Sequence, residues 1–89
     1  MASNQEEADD YVGVVLILDE KWRVVVCRDG IQWILQHRAG RRHGKARWDG
    51  KCYCRTREGL ASRVRELAGA EDTKAIGDLP VRIERRAGT

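Results

Sequence analysis

The chain contains no phenylalanine, one proline and one methionine. Its core must therefore be built from tryptophan, leucine, isoleucine and valine. No apolar run approaches the roughly 20 residues that span a bilayer. The longest candidate, 12–18, is bracketed by Asp9, Asp10, Asp19 and Glu20, so no membrane partner is expected. The first residues also lack the basic start of a secretory leader, which predicts a cytoplasmic protein. Three cysteines, an odd number, argue against a disulfide framework. Cys52 and Cys54 are too close in sequence for a bridge of ordinary geometry, so three reduced thiols are expected.

Groups for catalysis are equally scarce. The two histidines, His37 and His43, have no carboxylate spaced to orient them, and Asp29 and Asp49 each precede a glycine, as turn residues do. No glycine-rich phosphate loop and no G-x-S-x-G is present. A binding module rather than an enzyme is expected, without a cofactor. The set His37, His43, Cys52 and Cys54 contains zinc-type ligands, but Cys-x-Cys lacks the usual gap of two to four residues. Thiols packed as small hydrophobes are the expectation, and no metal.

What the chain has in excess is charge. Ionic residues make up 35% of the sequence, above the usual ~25%. The net charge of +3 conceals a segregation. Residues 1–20 hold six carboxylates and no base. Residues 21–57 hold eleven Lys/Arg against Asp29 and Asp49 alone, and residues 58–89 hold six of each sign. Such segregation bears on partners and association rather than on fold.

With 89 residues the chain makes one domain at most. Residues 1–10 are acidic and aperiodic, which predicts a disordered tail, and 11–89 a single α+β domain. A β-branched strand is expected over 11–18. Being apolar on both faces, it belongs in the middle of a sheet or against its copy in a homodimer. Asp19 and Glu20 make a turn, and 21–28 and 31–37 form a hairpin around Asp29-Gly30. That turn sets Trp22 opposite His37, Arg23 opposite Gln36, Val24 opposite Leu35, Val25 opposite Ile34, Val26 opposite Trp33, Cys27 opposite Gln32 and Arg28 opposite Ile31. The face bearing Trp22, Val24, Val26, Trp33 and Leu35 is the core face, so two tryptophans belong to packing rather than to a ligand cage. The opposite face is expected to be more exposed.

Residues 39–47 read as a basic loop and 51–55 as a short strand. Thr56 is a good N-cap for a helix over 57–68, whose buried stripe is Leu60, Val64, Leu67 and Ala68. Gly69 stops it. A helical turn within 72–78 and an edge strand over 81–86 complete the expectation: a three- or four-stranded antiparallel sheet packed on one amphipathic helix.

The pieces Gln32-Trp33-Ile34-Leu35-Gln36, Trp48-Asp49-Gly50-Lys51-Cys52-Tyr53-Cys54 and Thr56-Arg57-Glu58-Gly59-Leu60 lie within residues 31–69. This segment resembles a group of small hypothetical proteins of alphaproteobacterial genomes and prophages, a group with no assigned function. The resemblance spans under half of the chain and leaves out 1–20 and 80–89. It implies a mobile-element setting and nothing catalytic.

Arg23, Arg38, Arg41, Arg42, Lys45, Arg47, Lys51, Arg55 and Arg57 cluster in sequence with Trp48 and Tyr53. Cations release counterions from phosphates, and flat rings stack on bases. Trp48, beside Arg47, is expected at the surface. Arg55 and Arg57 flank the helix start, where carboxylates are normally favoured, so either both side chains point into water, the first expectation, or an anion is bound there. The order strand, strand, strand, helix also looks like the DNA-binding domains of plant ethylene-response factors and integrase arm-binding domains. Nucleic acid, DNA before RNA, is the expected partner. The alternative is a host protein, bound as by a phage-encoded inhibitor of a host nuclease or defence complex.

Overall fold

The computed structural model describes residues 5–42, 45–69, 74 and 76–83, without the side chains of Arg41, Arg42 and Lys45. The α+β expectation is met. Four antiparallel strands, β1 (Val14–Ile17), β2 (Trp22–Val26), β3 (Trp33–Arg42) and β4 (Lys45–Cys54), lie in the order of the sequence. The helix α1 (Arg57–Arg63) follows and continues as a π-helical turn, Val64–Ala68.

Five of the seven expected β2–β3 pairs lie in the ladder, from Trp22 with His37 to Val26 with Trp33, and the expected Arg28–Ile31 pair does not form. The turn itself is longer than expected. Cys27 donates to the Gln32 carbonyl, and the Gly30 amide donates back to Cys27. The loop is therefore 28–31, with Gly30 at φ 70° closing it, a conformation that glycine adopts without steric penalty. Between β1 and β2, Asp19 Oδ1 accepts from the Lys21 and Trp22 amides at 2.7 and 2.9 Å, the local bonding for which Asp is favoured in turns.

One sheet face packs on the helix. Val24, Trp33 and Leu35 are buried with Leu60, Val64 and Ile76, and Cys52, Cys54 and Leu16 border them. Thr56 caps α1, accepting from the Gly59 amide at 3.1 Å. Gly69 ends the helical run in the left-handed region, at φ 65°. Leu67 departs from the expected stripe, since it is 41% exposed. The cause is the π turn, which has more residues per turn than an α-helix. It carries Leu67 off the inner face and brings Ala68 onto it. The expected turn within 72–78 is a 3-10 turn at Ile76–Asp78. Positions 81–83 form an isolated bridge, Arg82 with Thr56, rather than a strand. Positions 84–86 of that expected strand lie outside the described residues.

Further expectations are corrected. Of the two placements expected for β1, the middle of the sheet is excluded, because β1 lies at its edge. The basic loop 39–47 is instead the outer half of the β3–β4 ribbon, paired through Gly40–Arg47, Arg41–Ala46 and Arg42–Lys45. A two-stranded ribbon satisfies its backbone by the ladder and needs no apolar pattern. His43 lies outside the described residues.

The largest correction concerns the second sheet face, which is buried too. Tyr11, Val25, Cys27 and Ile34 form a second apolar cluster there. Residues 5–10, expected as a disordered tail, lie across this face as a strap. Ala8 bridges Arg47 on β4, and the Trp48 amide donates to the Glu7 carbonyl. Apolar side chains and polar partners on that face give the strap more to bind than its own composition suggests. Residues 1–4 lie outside the described residues.

Candidate nucleic-acid interface

Three of the expected contact residues turn out to hold the fold together. Arg23, only 3% exposed, projects from β2 beneath the strap. Its Nε donates to Gln36 Oε1 at 2.7 Å, Nη1 to the Asp9 carbonyl, and Nη2 to the carbonyls of Glu6 and Ala8. The planar fork of guanidinium suits several acceptors at once. Its charge sits 4.3 Å over the Trp48 ring centroid. Burial lowers the Arg23 pKa, and the nearby Asp9 carboxylate offsets part of that. Gln36 Nε2 donates in turn to Glu6, so the cross-strand pair closes a network with the strap.

Trp48, expected at the surface, is buried, and its indole Nε1 donates to Asp9 Oδ1 at 3.0 Å. A ring covered on one side by Arg23 and bonded at its only donor has no face left for a base. Arg57 is the third correction. Its guanidinium donates to the Gly77 and Leu79 carbonyls, both at 3.0 Å. The unfavourable cation at the helix start thus finds backbone acceptors of the 3-10 turn, and no anion is required.

The remaining cations are differently placed. Arg47, Lys51 and Arg55 are exposed, and Arg38 is half-buried. Arg41, Arg42 and Lys45 occupy the outer ribbon by their backbone pairing. Two irregularities interrupt the ribbon, between Leu35 and Gln36 and between Arg38 and Gly40, leaving Lys51 and Ala39 without ladder partners. Bulges of this kind bend a strand and re-aim its side chains. Tyr53 is 60% exposed opposite Ile34, its hydroxyl folded over Gly50. A β-carbon at Gly50 would stand 2.6 Å from that hydroxyl, so any side chain there would push the exposed tyrosine ring aside.

The possible metal ligands among the described residues, His37, Cys52 and Cys54, have packing roles. His37 lies against Trp22 with ring centroids 4.5 Å apart. Cys52 and Cys54 border the helix-side core, where burial and then the neighbouring Cys52 raise the Cys54 pKa. Among the described residues no group of three His, Cys, Asp or Glu could hold a metal ion. None of their helices is long and apolar enough to cross a membrane.

Sequence reasoning missed the strap and the burial of the Arg23–Gln36 pair beneath it. Signals were present: the register put Arg23 opposite Gln36, and Val25, Cys27 and Ile34 left an apolar surface on the same face. Compared with protein-family models, curated proteins and solved structures, the chain has no match in any of the three.

Proposed function

We propose that the protein binds nucleic acid, duplex DNA in preference to duplex RNA, through the outer half of the β3–β4 ribbon. One observation carries this reading. The antiparallel ribbon brings Arg38, Arg41, Arg42, Lys45 and Arg47 together in a stretch that has no carboxylate from Arg38 to Trp48. A two-stranded ribbon is narrow enough for the major groove of B-form DNA, about 12 Å wide. The deep, narrow major groove of A-form RNA does not admit such side chains. Lys51 and Arg55 extend the cationic track along β4, and exposed Tyr53 supplies a flat ring beside them. Arg23, Trp48 and Arg57 are left out of the contact set because their groups are engaged within the fold.

Affinity measured against salt by fluorescence anisotropy of labelled duplexes tests the proposal. Four or five engaged cations give a log–log slope of about −3 to −4.5, and Arg41→Ala with Arg42→Ala flattens it by about 1.5. Tyr53→Ala lowers affinity with little change of slope, because stacking releases no ions. Absence of binding to DNA or RNA at low salt would sink the proposal.

A further inference from the structure

The two outer edges of the sheet are treated differently. Along β4, Ala8 bridges Arg47, and just beyond the strand Arg82 bridges Thr56. No described residue pairs with the outer edge of β1. That edge is also apolar: its sequence is VVLI, Val15 is 42% and Ile17 71% exposed, and Val12 just before it is 59% exposed. Unpaired backbone donors and acceptors beside exposed apolar side chains form a template for another strand.

Charge restricts what can fill it. Exposed Asp9 and Asp10 precede the strand, and exposed Asp19 and Glu20 follow it. A parallel copy aligns each acid with itself, and like charges across an interface disfavour it. An antiparallel copy about the middle of β1 sets Asp10 opposite Lys21 but leaves Asp9, Asp19 and Glu20 opposite Trp22, Val12 and Tyr11, with no cation facing them. The same carboxylates favour a cationic visitor. A cleft of about 490 Å³ runs beside Val14 and Ile17, and Asp9, Asp10, Asp19 and Glu20 outnumber Arg23 and Arg38 in its walls.

We propose that the free edge of β1 docks an extended segment of another protein, with apolar alternate residues and Lys or Arg at its ends. The backbone of the segment continues the sheet, its apolar residues cover Val15 and Ile17, and its terminal cations lie along the carboxylates of the cleft. The free edge of β1 is distinct from the outer β3–β4 ribbon, although Arg38 of the ribbon also lines the cleft, and strand docking is read out at β1, separately from nucleic-acid binding.

The probe is a labelled peptide of alternating valine and threonine with two lysines at each end, and a twin with glutamates in their place. Titrated into the full chain at low ionic strength, the lysine peptide should bind about three- to tenfold more tightly, as expected from two to four exposed ion pairs. The preference should shrink in high salt. Asp10→Lys with Glu20→Lys should reverse the preference, and Ile17→Lys should abolish binding of both peptides. β1 amide resonances should shift on binding while those of the outer ribbon stay in place. Equal affinity for the two peptides, or binding that survives Ile17→Lys, overturns the proposal. So does a dimer in sedimentation that Ile17→Lys dissociates, because the occupant is then a second copy.

Discussion

Arg23 illustrates how a single side chain can decide whether a segment is part of a fold. Its guanidinium supplies four hydrogen bonds, three of them to strap carbonyls. Removing it takes the donor from Gln36 Oε1 and the Asp9 carbonyl, and leaves the Glu6 and Ala8 carbonyls only Gln36 Nε2 and the Tyr11 amide; bonds to charged groups also contribute more than neutral ones. Arg23→Ala should lower unfolding free energy by about 3 kcal/mol or more, measured by urea denaturation, and lysine should restore only part because it lacks the fork. Arg47→Ala, an exposed change, should stay within about 0.5 kcal/mol. A loss below about 1 kcal/mol at Arg23 would mean that the strap is held by something else. At this scale the sequence was half legible. The cross-strand pairing of Arg23 with Gln36 followed from the hairpin register, since a one-residue slip would reverse every side chain. Which cations were structural was not legible, because an arginine that stacks beneath a strap and one that faces water are the same letter.

Among the elements, the strap changes the meaning of the acidic N-terminal residues. Its backbone carbonyls serve the fold, while the exposed Glu7 and Asp10 lie close in sequence to Ala8, which bridges Arg47 of the basic ribbon. The two contributions separate by experiment. Deleting residues 1–10 removes the acceptors of Arg23 and Gln36 and should destabilise the protein. Glu7→Gln with Asp10→Asn keeps those carbonyls and should strengthen DNA binding by about two- to threefold at low salt, with no effect at high salt. Unchanged affinity at low salt would show that the strap does not screen the ribbon. The element boundaries of the hairpin, the cap at Thr56 and the stop at Gly69 were legible because local backbone chemistry determines them. The π turn was not: its effect on Leu67 is a change of helical phase, and no residue type announces it. The outer ribbon escaped notice for a related reason, since its pairing is backbone bonding that charged side chains neither help nor forbid.

For the molecule as a whole, the pH response follows from groups buried on both faces of the sheet. Burial, followed by Glu6 and Cys27, raises the pKa of Tyr11, whose hydroxyl donates to the Val26 carbonyl at 2.7 Å. Burial also raises that of Cys54. In both cases the folded state prefers the protonated form. Their contribution is complete below the unfolded pKa values and is lost as pH rises through the folded ones. Stability should therefore decline from the ordinary thiol range, about pH 8.5, through the phenol range above about pH 10. Denaturation midpoints against pH measure this, and Cys54→Ala should remove the earlier part of the decline. A flat alkaline profile would contradict it. The general architecture, one sheet and one helix, was legible from periodicity because the helix-side core is a single amphipathic contact. The doubly covered sheet was not, since its second cover is a polar segment recruited by side-chain donors.

The placement of the tryptophans turns that double cover into an optical property. Trp33 lies in the cluster between sheet and helix, and Trp48 lies with Asp9 and Arg23 under the strap. Each indole thus watches a different seam of the same sheet. Few of the strap's bonds belong to a ladder, and segments of that sort open ahead of the core. With Trp22 and Trp33 replaced by phenylalanine, the emission of Trp48 should shift to longer wavelength at lower urea than the loss of helical ellipticity. Coincident transitions would mean instead that strap and helix melt as one unit.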